Sequence, residues 1–223
     1  YTDNDRDLIP HWIGRCHLSS CKPHIFSCKK SDNHYKFEGV LAANCLMPAV
    51  EFTLEYTVVA NELTVSVSYK LADYIERFPR FGFEFGVDKG HCNFSYVGFG
   101  PMESYVDKKA ACEYGYYVSS AEENYDMKYI RPQESGSHYA CKYMAVKDLF
   151  KVTAEKPFSC SVNPYTTEQL RETLHSFELE ENDFVNVCVD VAMRGVGSHS
   201  CGPDLPDEFE IPREGKNTFK FTF

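Results

Sequence analysis

Val185, Val187, Val189 and Val191 alternate with Asn186, Cys188 and Asp190. A period of two places successive side chains on opposite faces of an extended chain, so this run reads as a half-buried strand. The same rule recurs along the sequence and restricts the fold to sheets. Phe52, Leu54, Tyr56 and Val58 share one face of a run that begins at Ala49. Leu63, Val65, Val67 and Tyr69 share one face of the next, which ends at Lys70. The short link between them, Val59-Ala60-Asn61-Glu62, predicts a β-hairpin. Phe81, Phe83 and Phe85 alternate in a further strand, and Asn93 to Phe99 forms another, stopped by Gly98-Phe99-Gly100-Pro101. Tyr139 to Val146, Phe158 to Val162, and Phe219, Phe221 and Phe223 complete the set. Roughly ten or more strands with a single helix predict an all-β, antiparallel sandwich-type domain.

That helix lies near 166–175: Thr166 caps it, Gln169 reaches back, and Leu170 and Leu174 form an i,i+4 apolar stripe. Tyr114 to Tyr129 reads as a long irregular surface loop, and Ile130 to Gly136 as a turn. At the start, Thr2-Asp3-Asn4-Asp5 offers side-chain-to-backbone turn chemistry, Pro10 is expected to break any helix, and Trp12-Ile13-Gly14 is an apolar anchor.

Composition narrows the class. Hydrophobic residues make up 43% and charged residues 25%, as in ordinary globular chains. A formal charge of −10 argues against nucleic acid and anionic membranes as partners. There is no apolar run of about 18 residues, and Tyr1 to Arg6 lacks the basic-then-apolar order of a signal peptide. The ten cysteines are dispersed, and Cys45, Cys160 and Cys188 sit in strand-like runs as small hydrophobes. Reduced thiols in a cytoplasmic protein are therefore expected. Cys16, Cys21 and Cys28 are interspersed with His17, His24 and His34, but their spacing matches none of the usual zinc pairs.

The valine strand runs into Arg194-Gly195-Val196-Gly197-Ser198-His199-Ser200-Cys201-Gly202-Pro203, a loop with three glycines and no large apolar side chain. Such a loop can bring backbone and small polar groups close to a ligand or a neighbouring domain, or can simply reverse the chain. His199 and Cys201 are too close in sequence for the usual thiol–imidazole dyad. Glu103, Asp107, Asp204, Asp207 and Glu208 read as solvated surface acids. No Walker, Rossmann or Gly-x-Ser-x-Gly pattern occurs. Aromatics beside turns, in Tyr96 to Cys112 and Met127 to His138, suit a carbohydrate-facing surface or ordinary packing.

Several stretches, in order, resemble the β-galactosidases of glycoside hydrolase family 2: Thr2-Asp3-Asn4-Asp5, Phe78-Pro79-Arg80-Phe81-Gly82, and Tyr96-Val97-Gly98-Phe99-Gly100-Pro101-Met102-Glu103-Ser104-Tyr105. Tyr129-Ile130-Arg131-Pro132-Gln133-Glu134-Ser135-Gly136, the capped helix from Tyr165 with the following His175, and the loop Gly195 to Pro203 continue the series. The resemblance implies the last domain of such an enzyme, an antiparallel β-supersandwich of the galactose mutarotase type. It implies retaining hydrolysis of terminal β-galactosides, with both catalytic glutamates in a preceding TIM-barrel domain. By the same resemblance, Ser200, Cys201, Gly202, His199 and Asp5 face the substrate, with Cys201 where some members stack a Trp on the sugar. Residues 1–223 are then expected to be one domain of a longer chain that begins some strands earlier, inactive alone and homo-oligomeric in full length. No cofactor is expected in this domain; Mg2+ and Na+ would belong to other domains. The rival readings are a free-standing aldose 1-epimerase, with His91, His138 and His175 as available imidazoles, and a non-catalytic carbohydrate-binding module.

Overall fold

The computed structural model describes residues 2–43, 46–125 and 129–223. Cys45 and the 126–128 part of the expected loop lie outside the described residues. Eleven strands are present among them: β1 (Lys22–Ser31), β2 (His34–Ala42), β3 (Val50–Val59), β4 (Glu62–Leu71), β5 (Arg80–Asp88), β6 (Asn93–Gly100), β7 (Glu113–Ser120), β8 (His138–Val146), β9 (Phe150–Asn163), β10 (Phe184–Met193) and β11 (Glu214–Thr222). All pairings are antiparallel, in the order β1-β2-β3-β4-β11-β9-β8-β6-β7.

The 14-residue β9 is the pivot. One of its edges runs along β8; the other pairs first with β11 and then, from Ser159 onward, with β10. β5 adds to the far edge of β10. The β5–β10 pair thus leaves the main path and packs face to face on it. Phe83 meets Phe219 edge-on at 6.0 Å, and Phe85 meets Phe150 at 5.9 Å. Val152, Val187, Val189, Met144 and Phe219 are fully buried in this layer, each worth about 1.5–3 kcal/mol of transfer free energy. The β3–β4 register pairs Phe52 with Tyr69, Leu54 with Val67 and Tyr56 with Val65, so the two alternating sets share one face as the sequence requires.

Several expectations are corrected. β10 is buried on both faces rather than one, because Asn186, Cys188 and Asp190 lie under a polar cover. Asn186 Nδ2 donates to Glu84 Oε1 at 3.0 Å, and Glu84 also accepts from the Thr167 amide and hydroxyl. β1 occupies the stretch that offered only cysteines and histidines, and β2 follows it where no strand was expected; β1 is exposed along nearly its whole length and carries no alternation to detect. Much of the expected 114–129 loop is β7 followed by a helical turn, α1 (Ala121–Asn124). The helix α2 is shorter than expected, Thr167–Glu172. Its Thr166–Gln169 capping box is present and Leu170 is buried, but Leu174 lies beyond its end and is exposed. Pro10 starts a short π-helix, Pro10–Arg15, instead of breaking one: its missing N–H falls where a first turn has no partner for it. Trp12 is the buried anchor expected, its indole N–H donating to the Arg77 carbonyl at 2.9 Å.

Candidate functional site

At the end of β10 the chain turns out of the sheet at Arg194, whose amide donates to the Pro79 carbonyl. The Arg194 side chain is only 2% exposed and lies 5.9 Å from the Trp12 ring. Its guanidinium is saturated. Nε donates to both Glu210 oxygens (2.9 and 2.8 Å), and Nη1 donates to Asp5 Oδ1 (2.8 Å) and Ser198 Oγ (3.0 Å). Nη2 donates to Asp204 Oδ1 at 2.7 Å and also pairs with Glu210 Oε1 at 2.8 Å. Arg77 binds Asp204 and Glu210 from the other side, at 2.8 and 2.6 Å. Only a rigid planar fork can satisfy three carboxylates at once. The carboxylates oppose deprotonation of Arg194 more strongly than burial favours it. Burial also disfavours ionisation of Asp204, yet the Leu205 amide, Arg77 and Arg194 outweigh it and hold its carboxyl below the usual range.

A second anchor holds the near limb of the loop. The amides of Val196 and Gly197 both point at Asp107, donating to its two oxygens at 3.0 and 2.8 Å. A Cβ on Gly195 would sit 2.6 Å from the Asp107 carboxyl carbon, which explains a glycine there. Thr2 Oγ1 and Asn4 Nδ2 donate to the Val196 carbonyl at 3.2 and 3.0 Å. The base of the loop is therefore rigid: Ser198 is fully buried and donates to Asp5 Oδ1 at 2.8 Å.

The tip differs in exposure. Ser200, Cys201 and Gly202 are exposed, with His199 half-buried beside them. Ser200 Oγ donates back to the Gly197 carbonyl at 2.9 Å, and the His199 amide donates to the Pro203 carbonyl at 3.1 Å. His199 Nδ1 lies 3.1 Å from the Gly202 carbonyl. The structure thus gathers His199, Ser200, Cys201 and Gly202 on one projecting turn. Asp5 it places differently: 3% exposed beneath the turn, its carboxylate shared by Arg194, Ser198 and the Thr2 amide. Asp5 supports the tip from below.

The expectation of solvated acids is corrected for Glu103, Asp107 and Asp204. Asp107 and Asp204 anchor the loop. Glu103 is bound by Lys108, the Tyr129 hydroxyl and the Gly136 amide. A cleft of about 790 Å³ lies beside Asp107, lined by Met102, Glu103, Lys108, Cys112 and Tyr125. The imidazoles of the epimerase reading are scattered. His91 and His175 lie in separate surface turns, and His138 is fully buried against Tyr96, ring centroids 3.8 Å apart. Burial pushes His138 down to about 4. Asn124 Nδ2 donates to two carbonyls, so its Oδ1 accepts from His138 Nε2 at 2.8 Å. Among the described residues no three His, Cys, Asp or Glu side chains are arranged to hold a metal ion, and the nine described cysteines are unpaired. No helix among them is long and apolar enough to cross a membrane.

The sequence names the tip, and it also offers Asp5, Asp107 and Asp204, but in other roles: Asp5 as a substrate contact and the other two as solvated acids, where the structure makes all three supports of the loop. Arg194 at the strand end, followed within 16 residues by Asp204 and Glu210, was the one visible signal; Asp5 and Asp107 come from distant segments.

A family model described as beta galactosidase small chain matches residues 1–223. The chain belongs to that family. Relatives of the domain agree. A beta-galactosidase of Actinobacillus pleuropneumoniae is 36% identical over 193 residues, covering 78% of this chain and 19% of that protein. One from Staphylococcus xylosus is 29% identical over 221 residues, 94% of this chain and 22% of that protein. The chain thus spans about a fifth of the length of these relatives. A solved galactose mutarotase-like protein from Lactobacillus casei aligns over 88% of this chain and 71% of its own at 12% identity and TM-score 0.38, a likeness too loose to carry an argument.

Proposed function

We propose that this small-chain domain is part of a β-galactosidase that hydrolyses terminal β-D-galactosides with retention. In this reading the 199–202 turn forms part of the rim of the sugar pocket. The observation that carries it is the contrast within one loop of a family member: a base locked by Arg194 and Asp107, and a tip of small residues left open. A tip whose position is fixed from behind can contact a ligand without first having to be ordered.

Retention requires two carboxyl groups about 5–5.5 Å apart flanking the scissile bond, one as acid/base and one as nucleophile. The carboxylates around the loop are poor candidates, because Asp5, Asp204 and Glu210 are held by arginines and Asp107 by two amides. This supports placing the reacting glutamates elsewhere in a longer polypeptide; in our reading they belong to a preceding barrel domain of a cytoplasmic, homo-oligomeric enzyme. Any Mg2+ or Na+ is assigned to that remainder, and no step here passes through a metal. The direct test assays nitrophenyl β-galactoside hydrolysis by this chain alone and by the longer polypeptide. Turnover only by the latter is expected; turnover by this chain alone would overturn the assignment of the acids.

A further inference from the structure

One face of the sheet has the wrong character for a surface in water. An antiparallel sheet with one face on the core normally turns polar residues outward. On β7 the outward positions are Tyr114, Tyr116 and Val118, exposed to 45%, 62% and 70%. Their cross-strand partners on β6 are Phe99, Val97 and Ser95, so this face carries no charge across two strands. β7 is also the last strand of its sheet, with no strand paired to its outer edge among the described residues. With roughly 150–250 Å² per aromatic side chain, these three residues alone expose on the order of 300 Å², within the range of the largest apolar patch on a typical monomer, which is often functional. The inner face gives the contrast: there Tyr117 packs on Tyr96 at 5.4 Å, inside the protein.

The face runs up to the rim. Tyr114 meets Phe99 edge-on at 5.3 Å, Phe99 stacks on Tyr139, and Lys109 lies over the Tyr139 ring at 5.1 Å. Lys109 also donates to the Val106 carbonyl, next in sequence to Asp107, the anchor of the 195–197 limb. These contacts link the face to the segment that anchors the loop. We infer that the Tyr114–Tyr116–Val118 face is a docking surface for the large remaining part of the same polypeptide, which in the relatives amounts to about four-fifths of the chain. The inference rests on the galactosidase reading. It adds the surface by which the domain is held. A neutral, tyrosine-rich patch suits a domain–domain interface, which needs aromatic anchors and few charges at its centre.

Hydroxyl-radical footprinting of the longer polypeptide, read residue by residue by mass spectrometry, tests this. Covered by the inferred interface, Tyr114 and Tyr116 are expected to oxidise at least about fivefold more slowly than an open tyrosine, independently of protein concentration. Oxidation within about twofold of an open tyrosine overturns the inference, since half-exposed rings in water should react that fast. Protection that vanishes on dilution overturns it too, by assigning the face to a second copy. A galactosidase assay on the same sample separates the two levels: an active polypeptide with an open face defeats only the docking surface, and an inactive one with a covered face defeats only the galactosidase reading.

Discussion

Replacing Arg194 by Met removes the group on which the loop base converges. Six oxygen contacts at 2.7–3.0 Å from one side chain disappear, and Asp5, 3% exposed, keeps only neutral donors. Breaking a buried ion pair by removing one partner costs about 3–5 kcal/mol, because the remaining charge stays desolvated. Arg77 still covers part of Asp204 and Glu210, so the lower half of that range applies, about 3–4 kcal/mol. For a domain of this length each kcal/mol moves the melting temperature by about 2–4 °C, which gives a drop of roughly 10 °C. Arg194→Lys keeps the charge but offers only three donors from one point, so it should recover less than about half of the loss. Urea and thermal unfolding of the chain measure both variants. A buried network is weakly screened, and raising the salt to about 0.5 M should leave the differences in place. A double-mutant cycle with Asp5→Asn should show coupling above about 1 kcal/mol. A loss below about 1 kcal/mol for Arg194→Met, or additive behaviour with Asp5→Asn, would refute the claim that this network fixes the loop.

Other consequences follow from single contacts. Gly195→Ala pushes a methyl to within 2.6 Å of the Asp107 carboxyl carbon, so the nest must open; a shift of about 1–3 kcal/mol in the denaturant midpoint energy is expected, with faster hydrogen exchange at Val196 and Gly197. His138 is held neutral in the folded state, down to about 4 from 6.5, so the unfolded chain binds the extra proton and its contribution to stability is lost as pH falls from about 6.5 towards 4. Between pH 7.5 and 5 that contribution is about 2 kcal/mol, visible as the difference in unfolding free energy between the chain and His138→Gln; equal pH slopes in the two would contradict it. Phe219→Ala, fully buried against Phe83 and Phe158, should cost about 3–5 kcal/mol with no change in the denaturant slope.

Legibility in the sequence tracked how completely each strand obeys the period of two. β3, β4, β5 and β11 present apolar residues mainly to one side, and their alternation makes each readable; β6 turns Val97 and Phe99 outward as well, and only its Gly98-Phe99-Gly100-Pro101 stop marks it. β1 buries almost nothing and has no pattern to show. β7 breaks the pattern for the opposite reason: Tyr114, Tyr116 and Val118 are apolar on the outward side, so Tyr-Gly-Tyr-Tyr-Val reads as irregular. β10 was recognised as a strand, but its second buried face depends on Glu84 and on Arg80, which pairs with Asp190 at 2.5 Å, and neither partner is adjacent in sequence. The loop tip was legible because glycine and serine mark it locally. The anchoring role of Asp5 and Asp107 is not legible, although both residues stand out, because they reach the loop base across 189 and 90 residues.

In the galactosidase reading, the open tip of this loop borders a galactoside pocket completed by another part of the polypeptide. Cys201 offers a probe at the tip itself, and Cys28, exposed on β1, offers an internal reference. The decisive measurement is the alkylation rate of each thiol in the longer polypeptide as galactose is raised. The prediction is a saturable slowing at Cys201, half-complete at the galactose concentration that half-inhibits hydrolysis, with Cys28 unchanged. Alkylation of Cys201 that ignores galactose while the sugar inhibits the enzyme would contradict the claim.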